Sequence, residues 1–391
     1  MKFIHTSDWH LGQSFYNFNK EKEHRAFFNQ LEEIVSQERP DALLVSGDIF
    51  HIAVPSSQAQ RLFVEGVLQI QRGCPSMKII ITAGNHDSFS LLESHRDLWK
   101  TANVTIVGYP EYAHDGDEVL AKKLITEITD EIGNLKGYII TVPYIRPSRY
   151  YIFSQLIKKV SESNHNNLPI VVMAHLNING STKFGQDNLI GGIDGIDYTE
   201  FGDEYDYLAL GHIHTPQFIK GTNNKARYSG TPIQTSFDEQ FPHSVSLVEL
   251  EKHHEPPCVT EIEIKNPNKY ITFPKEPKTF DEIEKNLKYF DEETEGFLRL
   301  NVLVENSLPI DAETRIYEIL KEKRLKLCQI LTHIPNMDKE NDSMNFDVQK
   351  FKESNPLEIA KLFYKNKYGS EMPIELQKLF DDVQHEINEE A

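Results

Sequence analysis

Cysteine is scarce in this chain of 391 residues: Cys74, Cys258 and Cys328 lie far apart, odd in number and without C-x-x-C spacing. Such a set excludes a disulfide framework and a thiolate zinc knuckle, and it fits a reducing compartment. Long apolar runs are missing too, since no stretch approaches the ~20 residues a membrane-spanning helix requires. The N-terminus enters strand-like sequence without a basic leader, so no signal peptide and a cytoplasmic location are expected. Positive charge is in deficit, with 41 Lys+Arg against 60 Asp+Glu and a net charge of −19. That deficit removes the broad basic footprint with which many proteins grip duplex phosphates. The chain also lacks a Gly-x-x-x-x-Gly-Lys-[Ser/Thr] loop, so any coupling to ATP must come through a partner. Internal repeats and low-complexity tracts are absent as well.

What remains is the composition of a soluble globular protein, 39% apolar and 26% charged, long enough for two or three domains. Its most informative feature is a recurring arrangement. Five short apolar runs, Phe3-Ile4, Ala42–Val45, Ile79–Ile81, Ile170–Ala174 and Tyr207–Leu210, each lead into residues that bind metals. Those residues are Asp8 and His10, Asp48, Asn85 with His86, His175, and His212 with His214. Branched apolar runs of this length read as strands buried on both faces. Open sheets place ligands at the carboxyl ends of such strands, so the five ends are expected on one rim.

Taken singly, each piece has an ordinary reading. Asp-x-His is a common surface turn, Gly47-Asp48 suits a helix cap, and Asn-His-Asp is a strong turn sequence. The conjunction of five strand ends, each with a ligand-capable group, is what points to a two-metal site. Carboxylate, carboxamide and imidazole together suit Mn²⁺, Fe or Zn²⁺ better than an all-oxygen or thiolate set would. Two ions ~3.5–4 Å apart would clamp a phosphoryl oxygen and activate water for in-line attack on a phosphorus ester. His86 is the natural general acid, with Asp87 placed to orient its ring.

Helical spacing of apolar residues predicts helices over Glu21–Gln37, Ser56–Gln71 and Leu91–Thr101 between these strands. Alternating strands and helices predict an α/β unit over residues 1–265, followed by a Pro- and Lys-containing boundary at Lys265–Lys278. A helix at Phe280–Phe290, a strand at Phe297–Val304 and a helix at Ala312–Lys323 then predict a small α+β capping domain over 279–334. Amphipathic patterns at Pro356–Tyr368 and Pro373–Ile387 predict C-terminal helices within 350–391.

Five motifs, Ser7-Asp8-Trp9-His10-Leu11-Gly12, Ser46-Gly47-Asp48-Ile49-Phe50-His51, Gly84-Asn85-His86-Asp87, Ala174-His175 and Gly211-His212-Ile213-His214, resemble those of the calcineurin-like metallophosphoesterases. Pro143–Pro147, Gly191-Gly192 and Tyr228–Glu239 narrow the resemblance to the bacterial double-strand-break-repair nuclease family within them. The resemblance implies a β-sandwich flanked by helices. It implies one Mn²⁺ on Asp8, His10, Asp48 and His214, and another on Asp48, Asn85, His175 and His212, with His86 assisting departure of the 3′ oxygen. DNA is the implied substrate, cut exonucleolytically from duplex ends in the 3′→5′ direction and endonucleolytically in single strands and hairpins. A homodimer is implied, built from Ser56–Gln71 and Leu91–Thr101, and so is an SMC-like ATPase docked on the C-terminal helices. His51 could approach the DNA. Residues 179–188 depart from the acidic, Ser/Glu-rich stretch of the family. A metallophosphatase or cyclic-nucleotide phosphodiesterase could use the same ligands, and a non-catalytic scaffold is the remaining reading.

Overall fold

The computed structural model describes residues 1–109, 123–130, 132–144, 151–183, 195–305 and 307–334, with positions 361, 364, 372, 373, 376 and 377. Apart from those last positions, the expected C-terminal helices of 350–391 lie outside the described residues. So do residues 145–147, Gly191-Gly192 and 184–188.

Two six-stranded sheets stack face to face. The first runs Cys258–Glu263, Ser244–Glu249, Lys2–Thr6, Ala42–Ser46, Lys78–Thr82, Val104–Val107, and its last four strands are parallel. The second runs Gln217–Phe218, Ala226–Tyr228, Tyr207–Gly211, Ile170–His175, Leu135–Val142, Ile125–Thr129. Here the strands from Ala226–Tyr228 to Leu135–Val142 are parallel.

Side chains alternate across each strand, which explains why these runs are apolar without a break. Phe3, Leu44, Ile80, Val171, Met173 and Tyr207 fill the space between the sheets. Their neighbours Ile4, Leu43, Val45 and Ile79 face outward onto the helices Glu21–Glu38 and Ser57–Gly73, and Ile170 and Val172 face the helix Tyr151–Ser163. The result is a helix-covered β-sandwich, the α/β class that the strand pattern predicts.

The helix expected over Leu91–Thr101 is two short ones, Phe89–Glu93 and Arg96–Lys100. The Ser94 hydroxyl donates to the Leu91 carbonyl at 2.6 Å, a local bond that competes with the helical ladder at the break.

A smaller three-stranded parallel sheet, Lys269–Thr279, Gly296–Leu303 and Leu325–His333, packs with the helices Phe280–Leu287 and Ala312–Leu320 around its own core. Its first strand occupies the stretch that sequence alone reads as a boundary. Phe15, Phe237 and Phe297 join this unit to the sandwich, with Phe18 and Tyr270 packed beside them. Arg299 adds a two-pronged ion pair to Asp238 at 2.7 and 3.0 Å.

Candidate metal centre

The carboxyl ends of the parallel strands in both sheets open onto one rim, and the turns that follow them carry the ligand-type residues. Four of these residues hold a left-handed backbone: Asp8 (φ 54), His10 (φ 47), Asp48 (φ 52) and His212 (φ 98). Non-glycine residues adopt that region at a cost, and such strain collects at functional sites. The turns are pressed together. Gly47 takes φ +85 against the His175 ring, and a Cβ on Gly84 would collide with the Asp48 carboxylate.

Two groups of donors form. In the first, His10 Nε2 and His214 Nε2 stand 3.1 Å apart, and Asp8 lies close enough to share an ion with both. In the second, His175 Nε2 and His212 Nδ1 each lie 2.9 Å from Asn85 Oδ1. Asp48 stands between them, with Oδ1 3.4 Å from His175 Nε2 and Oδ2 3.9 Å from His10 Nε2. All seven residues named from the sequence therefore meet in one place. Ligands ~2.1 Å from a common ion at near right angles are ~3.0 Å apart, which is the spacing seen within each group.

The protons are arranged for the same purpose. His175 Nδ1 donates to the Ser46 carbonyl at 2.8 Å, which fixes the ring with Nε2 aimed at Asn85 Oδ1 and Asp48 Oδ1. His214 Nδ1 donates to Glu239 Oε1 at 2.7 Å, which turns its Nε2 toward His10. The buried Nδ1 of His10 has no hydrogen-bond partner. Nitrogen and oxygen ligand atoms gathered this closely in a buried pocket suit a shared cation, and a carboxylate or carbonyl behind an imidazole is the usual support of a metal ligand. The donor set fits two divalent ions.

Charge tells the same story. Burial pushes the Asp48 carboxyl up, but His175 and His10 outweigh it and hold Asp48 well below the usual carboxylate range. Burial pulls His175 down, yet Asp48 and Asp8 reverse this and raise it to about 9 in the metal-free state. Burial, the largest influence on His212, brings it down to about 3 and keeps it neutral.

His86 occupies the mouth of the pocket. Its Nδ1 donates to the His51 carbonyl at 2.7 Å, and its Nε2 faces Asp48 Oδ2 at 4.0 Å. The backbone of His51, not Asp87, thus sets the ring. Asp87 instead accepts from the amides of Gly84, Ile49 and Phe50 at 2.8, 3.1 and 2.9 Å, tying the Asp48 turn to the Asn85 turn. The His51 ring lies beside His86, 5.8 Å between centroids, so His51 belongs to the pocket wall.

Glu239 ends the Tyr228–Glu239 stretch that narrows the resemblance, but sequence reading assigns it no role. It is buried and also accepts from Thr235 N and Oγ1, both at 2.6 Å. Nothing in its spacing marks it, because it meets His214 from 25 positions further along the chain.

The family model of the calcineurin-like phosphoesterases matches residues 1–216. The chain belongs to that family. Among curated relatives it is similar to the SbcD component of the SbcCD nuclease of Rhodobacter capsulatus, 32% identical over 64% of this chain and 66% of that protein. The protein of the same name from Escherichia coli is 33% identical over 61% of this chain and 62% of its own length. That from Bacillus subtilis is 26% identical over 65% and 68%. The chain thus spans a little under two thirds of the first two relatives.

Proposed function

We propose that this chain is a manganese-dependent DNA nuclease that cleaves phosphodiester bonds at the Asp48-centred pocket and works within a larger complex. The observation that carries the reading is the gathering of ligand atoms in two groups around one shared carboxylate, with His175 and His214 each backed by an acceptor. Bound ions would supply Lewis-acid stabilisation of the phosphoryl charge and a nucleophile at neutral pH. Asp8, His10, Asp48 and His214 would hold one ion, and Asp48, Asn85, His175 and His212 the other.

The protein's own contribution is positioning and proton delivery. His86, in its doubly protonated form, spends its Nδ1–H on the His51 carbonyl and keeps Nε2–H for the departing 3′ oxygen. As the P–O bond breaks, the electron pair stays with that oxygen and the proton moves to it from Nε2. The buried rim excludes bulk water and strengthens every charge interaction within it.

The names of the similar proteins, subunits of the SbcCD nuclease, support a nucleic-acid substrate and a second subunit as partner; the motif resemblance makes these DNA and an SMC-like ATPase of the SbcC type. The −19 net charge is consistent with a partner carrying much of the DNA affinity. The ATPase contact is assigned to 350–391, and ATP stimulation to the ATPase itself. A homodimer is assigned to the stretches Ser56–Gln71 and Leu91–Thr101, on which Val64, Leu68 and Leu98 are exposed. Among the described residues no helix is long and apolar enough to cross a membrane. A cytoplasmic DNA-repair role accords with the reading.

The deciding experiment compares cleavage of hairpin DNA with that of an aryl phosphodiester in Mn²⁺, for the parent chain with its ATPase and for the Asp48→Ala and His86→Ala variants. Preference for DNA, abolished in both variants, is the expected result. Preference for the small diester would favour a phosphodiesterase of the same family, and full activity in either variant would refute the site.

A further inference from the structure

The same two strands that carry His175 and His212 at one end carry another cluster at the other. Glu204, His253 and His254 bring ligand atoms within 4.8 Å of one another beside the starts of Ile170–His175 and Tyr207–Gly211. Five or six residues of strand, at ~3.3 Å each, separate this cluster from the dinuclear pocket by roughly 16–20 Å. We propose that Glu204, His253 and His254 bind a third divalent ion, of the zinc class, as a structural clip.

The cluster has the supporting frame that a metal site needs. Asp206 is fully buried and accepts from the amides of Ile170 and His254 at 2.7 and 2.6 Å, and from His253 Nδ1 at 2.9 Å. That last bond fixes the His253 tautomer and turns Nε2 toward Glu204 Oε2, 3.9 Å away. His254 Nε2 approaches the same oxygen at 3.8 Å, and the two rings stack at 3.7 Å between centroids. Ser161 Oγ lies 3.2 Å from His253 Nε2 but donates its hydrogen to Glu204 at 2.7 Å. His253 Nε2 therefore stands beside two oxygens, Ser161 Oγ and Glu204 Oε2, in reach of a shared cation. The backbone amide donation to Asp206 holds His254 at φ 66, which keeps its ring beside its neighbour's.

Two imidazoles and one carboxylate, without thiolate, suit Zn²⁺, and a carboxylate behind a ligating imidazole is its usual second support. The location gives the ion a purpose. His253 and His254 sit in the connection between Ser244–Glu249 and Cys258–Glu263 of the first sheet, whereas Glu204 leads into Tyr207–Gly211 of the second. An ion here ties the two sheets together at the end remote from the phosphoesterase rim.

The test uses the full chain, stripped with a chelator and titrated with zinc chloride alone. Metal content is read after gel filtration, and hydrogen exchange is followed over residues 251–257. The parent chain is expected to retain one zinc more per chain than His254→Ala or Glu204→Gln, and to gain exchange protection over 251–257 that both variants lose. His254 is largely exposed, at 57% of its side chain, so its replacement leaves the core intact. Equal zinc content in all three chains, or protection confined to the dinuclear turns, overturns the proposal.

Discussion

Replacing Glu239 with Gln probes the support behind the metal-binding imidazoles without touching a ligand. The carboxylate takes four roles in one buried place: it accepts the His214 ring proton, the Thr235 amide and the Thr235 hydroxyl, and it raises His214 above its ordinary pKa despite burial. Gln keeps the size but loses the charge, so His214 Nε2 becomes a weaker donor to an ion. Removal of such outer partners typically costs about 10–100-fold in metal affinity, or ~1.4–2.7 kcal/mol. The Gln amide nitrogen must also face either Thr235 N–H or the His214 and Thr235 Oγ1 donors. That leaves one buried donor unmatched and lowers stability by about 1–3 kcal/mol. Manganese titrated calorimetrically into the stripped variant should bind about 10–100-fold more weakly. Cleavage should shift to correspondingly higher Mn²⁺ and recover most of its maximal rate at saturation. An unchanged affinity would refute the role assigned to Glu239. A rate loss that no concentration of Mn²⁺ restores would instead mean that Glu239 acts in the chemical step.

Other outcomes follow from the same geometry. Gly84→Ala drives a Cβ into the Asp48 carboxylate and should cost about 1–3 kcal/mol in denaturant unfolding while abolishing cleavage, since no flexible neighbour can yield. Phe297→Ala removes a fully buried ring between the sandwich and the small sheet, and should destabilise the chain by about 3–5 kcal/mol. Arg299→Met breaks the pair with Asp238, whose side chain is 44% exposed, so the loss should be only about 1 kcal/mol. In chelator-stripped protein, His175 has its folded pKa raised to about 9, so the stability it adds is full below about 6.5 and fades as pH rises through about 9. Thermal unfolding across that window should show the decline, and a flat profile would contradict the Asp48–His175 coupling.

The rim was legible in the sequence because buried parallel strands need unbroken apolar runs, and the ligand types stand directly after them. The small sheet was half legible. Gly296–Leu303 alternates as a strand should, but Lys269–Thr279 carries Pro274 and Pro277, which sequence rules assign to a boundary. An edge strand tolerates proline, and the pairing register shifts between Phe273 and Lys278 where the prolines sit. Long-range support was not legible at all. Glu239 behind His214, Asp87 across the Asp48 turn, and the His51 carbonyl on His86 are contacts between segments whose spacing carries no periodic signal. Asp87 shows the cost of reading by adjacency: next to His86 in the chain, it faces backbone amides instead of the ring.

Anomalous scattering from crystals grown in Mn²⁺ tests the central claim most directly. Two peaks are predicted on the rim, one against Asp8, His10 and His214, the other against Asn85, His175 and His212, with an Asp48 oxygen on each. A single peak, or two that leave Asp48 outside both coordination shells, would contradict the account.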